Sequence, residues 1–329
     1  MKIAICGMRH GHICSIIREV KKSNLEIVGV AENNPSAAES FLQSANLTIT
    51  HKTLEEMIQD VAFDLLVLGG VYADRGAAAI QGLHAHKHIL ADKPLCTSLE
   101  ELETIKTLSL ESGKSVFVAL TLRYIPTIIT ARNLLLSQEI GEISNIHVSG
   151  LHPLLFRKGR PDWYFEKGRH GGTINDLMIH GVDAIEWMTG YSIAEVIAAR
   201  AWNFEIPEYP FFQDCAQGML RLKNSAGILF DTSYKSAQGH PSLWTFHFCG
   251  TGGELFFELS SPEITLQRHG EEEKKVLVET PSASLISDLL KEIKSEKPLN
   301  LTTKESLSST QQTLAIQAAA DSNKTHVII

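Results

Sequence analysis

Three groups of residues have the types and spacing that could do chemistry. The first is Gly7-Met8-Arg9-His10-Gly11-His12, directly after the apolar run Lys2–Cys6. A strand, a glycine turn and a helix in that order offer free N–H groups and the positive end of a helix dipole to a phosphate. The dinucleotide fingerprint G-x-G-x-x-G would place glycines at 7, 9 and 12. Only Gly7 is in place; Arg9 and His12 take the other two positions, and Gly11 lies between them. Arg9 could bring a cation to the phosphate. Glu32 stands 25 residues after Gly7, at the end of the next apolar run. A carboxylate near that point holds the ribose 2′-hydroxyl of NAD in such folds, although a solvated loop acid would look the same.

The second group is Asp92-Lys93-Pro94, after the run His88–Ala91. A lysine at the carboxyl end of a strand faces the ligand crevice of an open parallel sheet, where its ammonium can donate to a substrate oxygen. A plain surface lysine before a helix fits the same three residues, and Pro94 raises the chance of a cis bond. The third group is Gly171-Gly172-Thr173-Ile174-Asn175-Asp176-Leu177-Met178-Ile179-His180. On a helix Asp176 and His180, four apart, share one face, with Asp183 three further on. An imidazole takes or gives a proton while a neighbouring carboxylate orients it. The glycine pair could let backbone lie close to a ligand. The plainer reading is a carboxylate answering the helix dipole and a satisfied core histidine.

These groups need elements to hold them. Over the first 120 residues short apolar runs alternate with helical segments: strands at 2–6, 26–31, 64–68, 88–91 and 115–120, helices at 11–21 and 73–84. Asn34-Pro35, Thr53 with Glu56 and Ser98 with Glu101 read as helix starts. The alternation predicts an α/β fold with an N-terminal Rossmann domain, a doubly wound parallel sheet. It makes Gly69, Gly70 and Tyr72, after the third strand, cofactor-loop residues, with an ordinary turn as the alternative. Beyond residue 120, helices at 126–136 and 172–188 are mixed with alternating strand-like runs, and two helices close the chain. That texture predicts a C-terminal α+β domain with a large, mostly antiparallel open sheet. The expected division is 1–120, dinucleotide binding, and 121–329, substrate binding and oligomerisation.

The 329 residues carry 30 basic and 38 acidic side chains, a net charge of −8 with no basic run. That argues against nucleic acid and anionic membranes as partners. No apolar run nears the length of a membrane span, and no signal peptide is visible. The cysteines, Cys6, Cys14, Cys96, Cys215 and Cys249, are odd in number, widely spaced and without C-x-x-C. A reducing cytoplasm is therefore expected. No metal set is read from the spacing: His84-x-His86-x-His88 crosses a helix end and a strand start, and Glu271–Lys275 reads as a solvated hairpin loop.

Asp92-Lys93-Pro94-Leu95 after a Rossmann strand, then Gly171-Gly172 with Asp176 and His180 about 80 residues later, resembles the Gfo/Idh/MocA family, the glucose–fructose oxidoreductase and inositol dehydrogenase group. Arg123-Tyr124, Glu139-Ile140-Gly141-Glu142-Ile143, Arg160-Pro161-Asp162-Trp163-Tyr164 and Cys249-Gly250-Thr251-Gly252-Gly253-Glu254-Leu255 are similar to family stretches in the same order. The resemblance implies NAD, or NADP, as cofactor and a secondary hydroxyl or ketone of a sugar, polyol or related compound as substrate. It implies a homodimer or homotetramer formed through the C-terminal sheet. The family's Glu-Lys-Pro maps onto Asp92, Lys93 and Pro94, and its aspartate and histidine onto Asp176 and His180. The departures are Arg9 and His12 in the glycine turn, and Arg75 where many members carry a histidine.

The implied mechanism has His180 remove the hydroxyl proton as hydride leaves carbon, Lys93 stabilise the developing oxyanion, and Asp176 orient substrate or His180. Arg123, Tyr124, His152, Trp163 and Lys167 are the expected substrate contacts. Two other readings compete: a non-catalytic dinucleotide- or sugar-binding sensor, and a lyase or glycosidase that uses bound NAD as an internal redox relay.

Overall fold

The apolar runs of the first 120 residues become buried strands in the computed structural model, which describes residues 1–154, 160–237, 243–280, 284–297 and 300–329. The chain forms two compact units. One comprises Met1–Ala119, Pro161–Gly171 and Ser284–Gln311; the other comprises Leu120–Arg160, Gly172–Ala283 and Gln312–Ile329. The sequence reading cut the chain once, near residue 120. The structure returns two later segments to the first unit because they bury side chains there, Trp163 and Tyr164 from one and Leu285, Ile286 and Leu289 from the other.

The first unit runs β1 (Lys2–Cys6), α1 (His12–Lys22), β2 (Glu26–Ala31), α2 (Pro35–Ala45), α3 (Leu54–Asp60), β3 (Leu65–Leu68), α4 (Tyr72–His84), β4 (His88–Ala91), α5 (Leu99–Ser112) and β5 (Val116–Val118). The strands pair in the order β2-β1-β3-β4-β5, all parallel. The order reverses at β1, and open α/β sheets bind their ligands outside the carboxyl ends of the strands at such a switch point. Helix α1 buries Ile13, Ile16, Ile17 and Val20, the stripe visible in the sequence. Asn34 caps α2 at Ala37 N–H, and Thr53 and Glu56 complete a reciprocal capping box on α3. Ser98 caps α5, while Glu101 reaches back to Thr97 N–H at 3.4 Å. Each such cap is worth about 1 kcal/mol.

The second unit carries α6 (Pro126–Leu136), β6 (Ile143–Leu151), α7 (Ile179–Thr189), β7 (Ile193–Trp202), β8 (Cys215–Leu222), β9 (Gly227–Ser233), β10 (Trp244–Gly250), β11 (Gly253–Glu258), β12 (Glu263–Arg268) and β13 (Lys274–Leu277). Helix α8 (Leu285–Ile293) belongs to the first unit, the unit boundary falls within α9 (Thr303–Ser322), and β14 (Val327–Ile328) ends the chain. The sheet order is β13-β12-β11-β10-β6-β9-β8-β7-β14, antiparallel except between β6 and β9. One face buries Ile146, Ile228, Phe230, Phe246 and Phe248 with apolar residues of α6 and α7.

Two expectations change, and one element is new. The charge run Glu271–Lys275 is not wholly a loop, since Lys274 and Lys275 open the edge strand β13. Lysines on an edge discourage further pairing. The short β14 on the opposite edge has no clear sequence signature. The helix expected over 172–188 is not uniform: Ile174–Met178 is a π turn, and α-helix begins only at Ile179.

Glu186 of α7 accepts the Ile193 N–H at 2.6 Å, and burial pushes its carboxyl up to about 7. The folded protein thus keeps a proton that the unfolded chain releases above its ordinary pKa of 4.5. Stability should therefore fall as pH rises from about 4.5 to about 7 and level off above. Glu186→Gln removes that loss. We expect a gain of about 2 kcal/mol at pH 8 and almost none at pH 4.5, read from melting temperatures of both proteins at the two pH values.

Candidate active site

The turn after β1 is built for close approach. Gly7 has φ +84°, and a Cβ there would lie 2.4 Å from Gly70 Cα, so two glycines let the ends of β1 and β3 touch. Gly69 makes room in the same way for Ile13 of α1. Helix α1 has no side-chain cap and no acidic residue in its own first turn to offset its positive end. Met8 is buried, and its N–H donates to Glu32 Oε2 at 2.8 Å; Asn34 N–H donates to Oε1 at 2.8 Å. Glu32 thus braces the turn and also lines a cavity of about 190 Å³ with Gly7, Arg9, Asn33, Thr53 and Gly70. Arg9, expected as a phosphate cation, turns instead to Glu32, 3.2 Å away, and to Asn33 at 3.1 Å. These residues fit a dinucleotide whose ribose hydroxyls face a carboxylate.

Beside the turn lies a buried network that the sequence did not disclose. Arg75 of α4 donates to the carbonyls of Gly70, Asp92, Lys93 and Pro94, and to the Asp92 carboxylate at 3.0 Å. It therefore fixes the loop that carries Lys93, itself buried and followed by a cis Lys93–Pro94 peptide. Burial alone would raise the Asp92 carboxyl, but Arg75, His12 and His10 outweigh it and hold it well below its usual range. His10 sits 2.7 Å from Asp92 through Nδ1, with Tyr164 and Tyr72 hydroxyls 3.1 and 3.3 Å from Nε2. Burial lowers its pKa to about 3 despite Asp92. His10 is therefore neutral, donating from Nδ1 to Asp92 and accepting a tyrosine proton at Nε2. The two hydroxyls lie 2.5 Å apart, and Lys93 Nζ stands 5.9 Å from the centroid of the Tyr72 ring. His12 is nearly half-exposed, 3.4 Å from the other Asp92 oxygen. Tyr164 is the member sequence reasoning left out; its neighbour Trp163 donates Nε1–H to the Arg9 carbonyl at 3.1 Å. Trp163 and the exposed Lys167 thus belong to the unit of the glycine turn, not to the C-terminal one where substrate contacts were expected.

In the second unit Asp176 is buried on the π turn and accepts a short hydrogen bond from the Tyr234 hydroxyl. Such turns recur at functional sites. His180, on the first turn of α7, is half-buried, its ring 6.3 Å from that of Trp244. Gly172 serves packing. A Cβ on Gly172 would fall 2.2 Å from Gln317, whose Oε1 accepts the N–H groups of Ile174 and Asn175 at the start of the π turn. His152 lies beside Tyr234, ring centroids 6.2 Å apart, and accepts from Arg160 at 2.8 Å. Tyr124 is half-buried on a short 3-10 turn, Thr121–Tyr124. Arg123, expected to contact substrate, is instead buried and forks onto Asp183 at 2.9 and 2.7 Å. That pair also removes Asp183 from the catalytic face. Asp176, His180, Tyr234 and His152 are the chemical groups this unit gathers, and Tyr234 is the one that motif spacing missed.

The chain matches the oxidoreductase family with an NAD-binding Rossmann fold over residues 1–120 and the Gfo/Idh/MocA C-terminal domain over residues 128–256. Glucose-6-phosphate 3-dehydrogenase of Bacillus subtilis (strain 168) is 27% identical over 247 residues, 73% of this chain and 69% of that protein. Trans-1,2-dihydrobenzene-1,2-diol dehydrogenase of Sus scrofa is 21% identical over 203 residues, 62% of this chain but only 59% of the relative's length. A solved levoglucosan dehydrogenase in complex with NADH has a TM-score of 0.82 at 18% identity over 99% of both chains, a likeness of fold. The parallel sheet with its glycine turn and the nine-stranded sheet behind the π turn are thus the two halves of one known architecture, and the chain belongs to the Gfo/Idh/MocA family of NAD-binding oxidoreductases.

Proposed function

We propose that the protein is an NAD-dependent dehydrogenase that oxidises a secondary hydroxyl of a sugar, a polyol or a related compound, or reduces the matching ketone. The observation that carries this reading is Asp176, buried and held by Tyr234 on a π turn four residues ahead of His180. Bound NAD supplies the hydride acceptor. The turn Gly7 to His12 holds its phosphates through the N–H groups at the start of α1, Glu32 meets its ribose, and Gly69, Gly70, Tyr72, Asp92 and Lys93 line its path. His180 takes the hydroxyl proton. Lys93 donates to the oxygen as negative charge develops there, and Asp176 orients the imidazole or the substrate. Tyr124, His152, Trp163 and Lys167 contact the substrate. The names of the relatives, a sugar phosphate dehydrogenase and a cyclic diol dehydrogenase, favour a polyhydroxylated ring.

Glu32 favours NAD over NADP because a 2′-phosphate would add like charge beside a buried carboxylate. We expect NADH to bind about tenfold tighter than NADPH, read by fluorescence at equilibrium, a gap of about 1.4 kcal/mol. Equal affinities would remove Glu32 from this role. A screen of sugars and polyols with NAD at alkaline pH tests the reaction itself. Cofactor binding without turnover of any of them would favour a sensor, and product without net NADH an internal redox relay. The reading includes a reducing cytoplasm, in keeping with five thiols free of disulfides. It also includes a homodimer or homotetramer through the nine-stranded sheet, whose outer face leaves Met219, Leu229 and Phe256 more than 40% exposed. Light scattering would test it; a monomer at micromolar concentration would overturn it.

A further inference from the structure

Strands β10 and β11 set His247, Cys249 and Glu254 on one face of the nine-stranded sheet. Alternate residues of a strand share a face, and Cys249 pairs directly with Glu254 across the hairpin. His247 Nε2 lies 2.8 Å from Glu254 Oε2 and 3.6 Å from Cys249 Sγ. One ligand atom from each residue falls within 4.8 Å of the others. We propose that these three side chains form a binding site for a borderline-soft divalent cation, with zinc as its best fit.

The spacing agrees with zinc chemistry. With Zn–N at about 2.0–2.1 Å and Zn–S at about 2.3 Å, a tetrahedral angle sets nitrogen and sulfur about 3.6 Å apart and nitrogen and oxygen about 3.4 Å apart. The first separation is already present. The second follows when the metal replaces the proton between His247 and Glu254 and that contact opens by roughly half an ångström. The thiol also loses its proton, to solvent. A surface ion pair accounts for the histidine and the glutamate but not for a thiol at the third corner. The imidazole is confined by the Phe256 ring at 6.1 Å and the His147 ring at 6.0 Å. Thiolate, imidazole and carboxylate together suit zinc rather than magnesium or calcium, which prefer oxygen alone. Three protein ligands leave the fourth position to water. The other comparably tight group among the described residues, His10, His12 and Asp92, is a poor cation site because Arg75 stands 3.0 Å from the same carboxylate.

Cobalt(II) titration of the full-length, reduced protein tests the proposal. The expected result is a thiolate-to-cobalt band in the near ultraviolet that saturates at one equivalent and disappears when zinc is added. Cys249→Ser should abolish the band, and His247→Gln and Glu254→Gln should each weaken binding roughly tenfold or more. Circular dichroism confirms that each variant is folded. No band at millimolar cobalt, or a band that survives Cys249→Ser, would overturn the site.

Discussion

Replacing His180 with Asn should lower kcat by about 10²–10⁴-fold while the dissociation constant for NADH stays within about twofold. Asparagine keeps a polar side chain of similar reach but cannot accept and hold a proton near neutral pH. What disappears is proton transfer, and a loss of that size corresponds to about 3–5 kcal/mol of barrier. Folding should survive, because His180 is half-buried while the core of α7 is Val182, Ile185 and Met188. Steady-state rates across pH separate this role from a merely structural one. The limb reporting the imidazole should vanish in the variant, whereas a packing defect would scale the whole profile. Asp176→Asn should cost less, since an amide oxygen can still accept from Tyr234. Undiminished turnover in His180→Asn would end the assignment of His180 as the base.

The sequence disclosed what depends on neighbours in the chain. The parallel sheet was legible because each strand is a short apolar run, and because Asn34, Thr53 and Ser98 announce the helices that separate them. Long-range partners were not legible. Gly171-Gly172 looked like a ligand approach because Gln317, which needs the space at Gly172, lies 145 residues further on. The π turn escaped because all five of its residues are buried, so no one-sided apolar stripe exists whose shift would mark the extra residue. Arg123 was expected to contact substrate, and its partner Asp183 lies sixty residues away. Tyr164 and Arg75 had only a partial signal, the second as a departure from a family histidine. Their purpose follows from three distant segments, the glycine turn, α4 and the turn Asp162–Phe165, that converge on the Asp92–His10 pair.

That convergence makes Asp92→Asn the most destabilising conservative change we expect in the first unit, at about 3–5 kcal/mol near neutral pH. The substitution keeps the shape and most hydrogen bonds but deletes the only charge that faces the buried Arg75 guanidinium at short range among the described residues. Arg75 cannot neutralise itself by losing a proton, so it is left as an uncompensated ion beside the carbonyls it binds. His10 is affected too, since its neutral ring donates to an anion in the native protein and to a weaker amide acceptor in the variant. Because Asp92 titrates well below 3.8, the native advantage should persist across neutral pH and fade only in strong acid. Thermal unfolding provides the measurement, with roughly 2–4 °C lost per kcal/mol in proteins of this size. A double-mutant cycle with Arg75→Met separates charge from packing. If the lost ion pair is the cause, removing both partners should cost clearly less than the sum of the single changes. Strict additivity would show that Arg75 and Asp92 act independently, and the Lys93 loop would then need another explanation for its fixed position.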